Sequence, residues 1–196
     1  MKNVIIIFGL TFMLFLLSCK HHGTPKPRAY YRITFPAHEY QPLNEECPYR
    51  FDVPVYANIL KDTRSHNAEK YWYNMDYPTL NGTVHISYKT VNNNINELLE
   101  DSRKLAYKHS VKADAIGERL FVSEEKRVYG TLYDIKGNAA SSVQFYLTDS
   151  TQHFVRGSLY FDAIPNKDSL APVINFVKED ISHLMETFEW KEMPNF

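Results

Sequence analysis

Cysteine is scarce in this 196-residue chain, with only Cys19 and Cys47 present, so a disulfide-stapled mini-scaffold is excluded. Glycine is scarce as well, at seven residues. None of the glycine signatures that cradle phosphate or raise a nucleophile occurs: there is no P-loop, no dinucleotide fingerprint, no G-x-S-x-G elbow and no paired C-x-x-C. An excess of one charge is also missing. Twenty-two basic residues face 23 acidic ones, which removes the electrostatic case for a nucleic-acid partner. The longest apolar run, residues 4–17, is shorter than the roughly 20 residues a membrane-spanning helix needs.

That short run is nevertheless the most informative stretch present. Lys2 supplies a positive n-region, residues 4–17 an apolar h-region, and Leu16, Leu17 and Ser18 lead to Cys19, the pattern of a bacterial lipoprotein processing site. Cleavage before Cys19 is expected. The chemistry requires a thiol there, because sulfur carries the thioether-linked diacylglycerol and the freed amino group takes a further acyl chain such as palmitate. Each buried CH₂ contributes roughly 0.8 kcal/mol, so two or three chains hold the protein at a bilayer where one would not. Removing 18 residues leaves 178, enough for one domain with its own core, at a net charge of −2 once Lys2 is lost. Cys47 then has no partner for an intramolecular disulfide. It reads as a small half-buried hydrophobe, with an intermolecular disulfide or reactive thiol as the alternative.

Residues 19–28 read as the lipidated cysteine and a Pro- and Gly-containing tether, and residues 29–196 as a single α+β domain. Between residues 30 and 55, four prolines interrupt β-prone pieces, which suits an arm over a core better than a central strand. Residues 72–77 and 83–89 read as strands around a turn, with Val84, Ile86 and Tyr88 alternating with polar neighbours. Ile95, Leu98, Leu99, Ser102, Leu105, Ala106 and His109 share one helix face after an Asn92–Asn94 cap. Strands follow at 118–122, 127–135, 141–147 and 153–161, joined by short polar turns that favour antiparallel pairing. The last element is a helix capped by Asp168 or Ser169, with Pro172 in its first turn and Leu170, Ile174, Val177, Ile181, Leu184, Met185 and Phe188 along one face. The sum is a largely antiparallel sheet of about six strands covered by two amphipathic helices.

Chemistry-bearing clusters are sparse. Apart from His21 and His22 in the tether, histidines such as His85, His153 and His183 are scattered without metal-site spacing. The carboxylate pairs Glu124 with Glu125 and Glu179 with Asp180 read as solvated surface. No catalytic, cofactor-binding or metal-ligating residue is expected, and no cofactor. The aromatic stretch from Tyr71 through Trp72 and Tyr73 to Tyr77 either fills one end of the core or lines a partner groove.

Three blocks, residues 25–35 (PKPRAYYRITF), 71–88 (YWYNMDYPTLNGTVHISY) and 130–189, beginning GTLYDIKGNAASSVQFYLTDSTQHFVRGSLYF, resemble the gliding-motility lipoprotein GldD family of Bacteroidota. The resemblance implies a noncatalytic accessory lipoprotein of gliding motility and of the coupled type IX secretion pathway. Its implied partners are the membrane, through the lipidated N-terminus, and proteins of those machineries. In such bacteria an acidic motif after the lipidated cysteine accompanies export to the cell surface. Lys20, His21, His22 and Gly23 lack it, which implies a periplasm-facing location on either membrane. A looser similarity of residues 130–188 to the PsbP/Mog1-like fold concerns architecture alone. The alternative is a periplasmic small-molecule binder or enzyme whose site only the fold reveals; a deep pocket with convergent titratable groups would favour it.

Overall fold

The computed structural model describes residues 33–63 and 69–191, so the signal segment, Cys19 and the tether lie outside the described residues. In chain order the elements are β1 (Tyr40–Pro42), β2 (Tyr49–Arg50), β3 (Asp52–Pro54), β4 (Asn58–Lys61), β5 (Tyr73–Tyr77) and β6 (Gly82–Thr90). Next come α1 (Ile95–Tyr107), β7 (Ala113–Ser123), β8 (Val128–Gly137), β9 (Ser141–Thr148) and β10 (His153–Phe161). The chain closes with α2 (Lys167–Thr187) and β11 (Glu189–Trp190). Seven strands form one antiparallel sheet in the order β4-β5-β6-β10-β9-β8-β7. It consists of two meanders joined where β10 returns beside β6. The α+β reading is correct; the strand it lacked is β4, whose four residues are mostly exposed and carry no alternating signal.

Period-2 patterning decides which face each strand buries. Tyr73, Met75 and Tyr77, then Val84, Ile86 and Tyr88, then Val143, Phe145 and Leu147, and finally Val155 and Leu159 all enter one core. Against that face lies α2, contributing Val173, Phe176, Val177, Ile181, Leu184 and Met185. The other face of β8 is covered by α1, where Ala106 meets Tyr133, Ile135 and Ala139. For this reason β9 is buried on both faces. At the centre, Gly157 lets the Phe145 ring lie flat on β10, since a Cβ there would stand 2.1 Å from Phe145 Cε1.

Several local expectations need correction. The α2 cap is Asn166, not Asp168 or Ser169: its Oδ1 accepts from the backbone N–H of both, at 3.2 Å each. Pro172 therefore lies beyond the first turn. Asn94 sits at the α1 cap position without a side-chain capping bond; its Oδ1 instead accepts from the Asn92 backbone N–H at 2.8 Å. On α1 only Ser102 and Ala106 are buried, and Leu105, assigned to the inner face, is exposed. The prolines did mark an arm: β1 pairs only with β3, and β2 pairs with β11, so residues 40–54 pack across the end of α2 instead of joining the main sheet.

Candidate functional site at the arm and the terminal helix

Asp180 is the most unusual residue of the structure, because it is a carboxyl group with 0 % exposure on the apolar face of α2. The expectation that Glu179 and Asp180 form a solvated pair is wrong for Asp180. Helical spacing explains it: position 180 is four after Phe176, three after Val177 and four before Leu184, inside the stripe that faces the core. A carboxyl buried there must find donors.

The donors come from the arm. Tyr40 Oη donates to Asp180 Oδ1 at 3.0 Å, and Tyr56 Oη lies 2.8 and 2.9 Å from the two carboxyl oxygens. His38 Nδ1 is 2.8 Å from Oδ1, while its Nε2 reaches Glu179 at 3.1 Å. Rings reinforce the arrangement. Phe35 and His38 both stack on Phe176, with centroids 4.5 and 4.4 Å away, and Tyr40 stacks on His183 at 3.7 Å. Further along the arm, the Asp52 backbone N–H donates to Thr187 Oγ1 at 3.0 Å, and Arg50 Nε to Glu189 at 2.7 Å.

Burial, followed by the Asp180 charge and hydrogen bond, pushes the Tyr40 phenol above its ordinary range. Burial with the Asp180 hydrogen bond does the same to Tyr56, and burial with the Asp180 charge to Tyr77. All three phenols therefore stay protonated at neutral pH. Tyr40 and Tyr56 donate to the Asp180 carboxyl. With its oxygens occupied by protein groups, Asp180 fastens one chain segment to another.

The clefts described are open ones. One of about 490 Å³ runs between the arm and β4, lined by Gln41, Leu43, Val53, Ile59 and Leu60, with Glu45 its only ionisable group among the described residues. Another of about 240 Å³ lies between β7, β8 and α2, where Lys178 pairs with Asp134 at 3.0 Å and Arg119 donates to Ser182 at 2.8 Å.

Other singled-out residues separate cleanly. Cys47 is 1 % exposed, its Sγ donates to the Tyr49 carbonyl at 3.2 Å, and burial pushes its thiol up, so it sits in the core. The aromatic stretch fills the core: Tyr73, Met75 and Tyr77 are buried, and Trp72 Nε1 donates to the Tyr88 carbonyl at 2.9 Å. His153 stacks on Trp190 and meets the Tyr88 hydroxyl, whereas His183 stacks on Tyr40. Among the described residues no group of three or more His, Cys, Asp or Glu side chains is placed to hold a metal.

The arm, the buried clamp and the final helix all fall within residues 20–190, the span matched by the model of the family described as gliding motility lipoprotein GldD. The chain belongs to the GldD lipoprotein family. Comparison with curated proteins gave no match. As a GldD lipoprotein the protein is related to gliding motility and is associated with the membrane through lipid. Among the described residues no helix is long and apolar enough to cross a membrane. Sequence reasoning had found the family and the helix but not the Asp180 clamp. The only signal for the clamp was an acidic residue in register with an apolar stripe.

Proposed function

We propose that this GldD lipoprotein is a noncatalytic, periplasm-facing accessory component that supports gliding motility and the coupled type IX secretion machinery, tethered through acylated Cys19. Family membership carries the reading, since the matched span begins at residue 20, directly after the cysteine that closes the apolar run. The Asp180 clamp supports it. The arm that follows the tether is fixed to the last helix by His38, Tyr40 and Tyr56, an arrangement suited to presenting one rigid face near a bilayer. Raised tyrosine phenols and a carboxyl sealed by donors favour structure over acid–base chemistry.

The test is a crosslinked pull-down of the lipidated protein from membranes, with Cys19→Ala as control, read by mass spectrometry alongside spreading and secretion assays. Lipid-dependent recovery of motility or secretion components, and loss of spreading or secretion in the control, is the expected result. A signal-cleaved, soluble Cys19→Ala protein with full function would remove tethering, and recovery of the protein alone would remove the accessory role.

A further inference from the structure

On the face of the sheet opposite α2, Arg156 of β10 and Gln144 of β9 form a pair that the Asp180 clamp and the tether do not use. Arg156 is half-buried, and its Nη2 donates to Gln144 Oε1 at 2.5 Å. Among the described residues this is its one side-chain hydrogen bond, and it has no ion pair. A guanidinium stays charged inside a protein, and a charge drawn out of water is ordinarily matched by an opposite one. Burial lowers the Arg156 pKa from its ordinary value without supplying that match.

Gln144 supplies a second, independent anomaly. It is 1 % exposed, and its Nε2 is a buried donor without a hydrogen-bond partner. The amide orientation follows from chemistry: the guanidinium can only donate, so the carbonyl oxygen must face it and the NH₂ must point elsewhere. Two donors thus lie side by side: Gln144 Nε2 has no acceptor, and the guanidinium, bonded to Gln144 Oε1, has no counter-charge. Native proteins rarely leave such groups unsatisfied without a reason.

We propose that Arg156 and Gln144 form a binding site for a carboxylate ligand on the face of the sheet that α1 partly covers. A carboxylate offers two coplanar oxygens, one for a guanidinium N–H and one for the amide N–H, and its single negative charge equals the single positive charge present. A phosphate dianion would bring a second charge with no cation to meet it. A water molecule could satisfy Gln144 Nε2 but would leave the guanidinium without a counter-charge. Register places tyrosines around the pair: Tyr133 opposite Gln144, Tyr146 opposite Arg156, and Tyr160 four residues along β10 on the same face. Tyr133 is buried beneath α1, so the part-exposed rings of Tyr146 and Tyr160 would flank the carbon body of the acid. The site is independent of the lipoprotein reading, and its failure would leave that reading untouched.

The experiment is thermal unfolding of the full lipidated protein in detergent, titrated with sodium benzoate or acetate against sodium chloride at equal ionic strength, with inorganic phosphate in parallel. The expected result is a saturable rise in Tm of several degrees with the carboxylates and none with chloride. Gln144→Glu places a carboxylate beside Arg156 at unchanged volume, so it should raise Tm without ligand and abolish the benzoate-dependent rise. Arg156→Lys, which keeps charge but loses the fork, should weaken binding at least tenfold. An acetylated tripeptide with a free C-terminus, compared with its amidated form, distinguishes a chain-end carboxylate from a small free acid. If Arg156→Lys fails to fold, wild type and Gln144→Glu still decide. A Tm indifferent to carboxylates, with Gln144→Glu destabilising, would make the pair purely structural and overturn the proposal. A response to phosphate alone would overturn the ligand class.

Discussion

His38 and Asp180 lie 142 residues apart in the chain and 2.8 Å apart in the fold. The contact joins the segment that follows the tether to the last helix, and it does so beneath the stacked rings of Phe35 and Phe176. Because Tyr40 and Tyr56 reach the same carboxyl, one buried side chain ties three residues of the arm to α2.

Removing that carboxyl should release the arm. Asp180→Ala leaves two tyrosine hydroxyls and an imidazole without their common acceptor, and the expected loss is about 3 kcal/mol, at the upper end for unsatisfied buried groups. Urea unfolding measures the loss, and limited proteolysis should show new cleavage within residues 34–57. Unchanged protection of that segment would mean that the ring stacking alone holds it.

Gly157→Ala should be among the most damaging single-atom additions to the core. A Cβ would lie 2.1 Å from Phe145 Cε1 and 2.2 Å from Cζ, so the ring or β10 must move, at a cost of about 1–3 kcal/mol or more. In a Phe145→Leu background the same substitution should cost clearly less. Additive effects in the double mutant would contradict the contact.

Stability should fall between pH 7 and pH 5 through His153. Burial pushes its pKa down, with Asp149 acting weakly in the opposite sense, so the folded state favours the neutral ring. The unfolded chain then binds more protons near its ordinary value of about 6.5, and stability present above that value is lost as pH falls through it. Burial pushes the Asp149 carboxyl up, but hydrogen bonds from the backbone N–H groups of Gln152, His153 and Thr151 outweigh that and hold it low, so its own loss comes in a more acidic window. Urea midpoints at pH 7.5, 6.5 and 5.5 should decline in the wild type and flatten in His153→Phe. An unchanged slope in the variant would assign the decline to another group.

Cys47 should resist a thiol reagent in the folded protein and react promptly in urea. Its burial and raised thiol pKa both suppress the thiolate. Rapid labelling under native conditions would show that the arm around it opens readily.

The strands were legible where a polar and an apolar face alternate. Val84, Ile86 and Tyr88 announced β6, and Val143, Phe145 and Leu147 announced β9. Patterning failed where the environment is not two-faced. The exposed β4 carries no alternation, and in β9 the polar Ser142 and Gln144 that alternate with Val143, Phe145 and Leu147 are buried too, because α1 packs against β9. The α2 cap was misplaced because Asp168 and Ser169 are as good cap formers as Asn166, and composition cannot choose among adjacent candidates.

By itself the sequence determined the class of the protein. The short apolar run ending at Cys19, the balanced charge, the absent phosphate and nucleophile motifs, and the 2.0 and 3.6 periodicities are local properties, each set by neighbouring residues. Only the tertiary structure decided that Asp180 is buried and clamped by His38, Tyr40 and Tyr56, and that Gln144, bonded to Arg156 through Oε1, buries an Nε2 without an acceptor. The meaning of a polar side chain depends on which distant groups desolvate it and which donors or charges reach it, and chain folding alone brings those together.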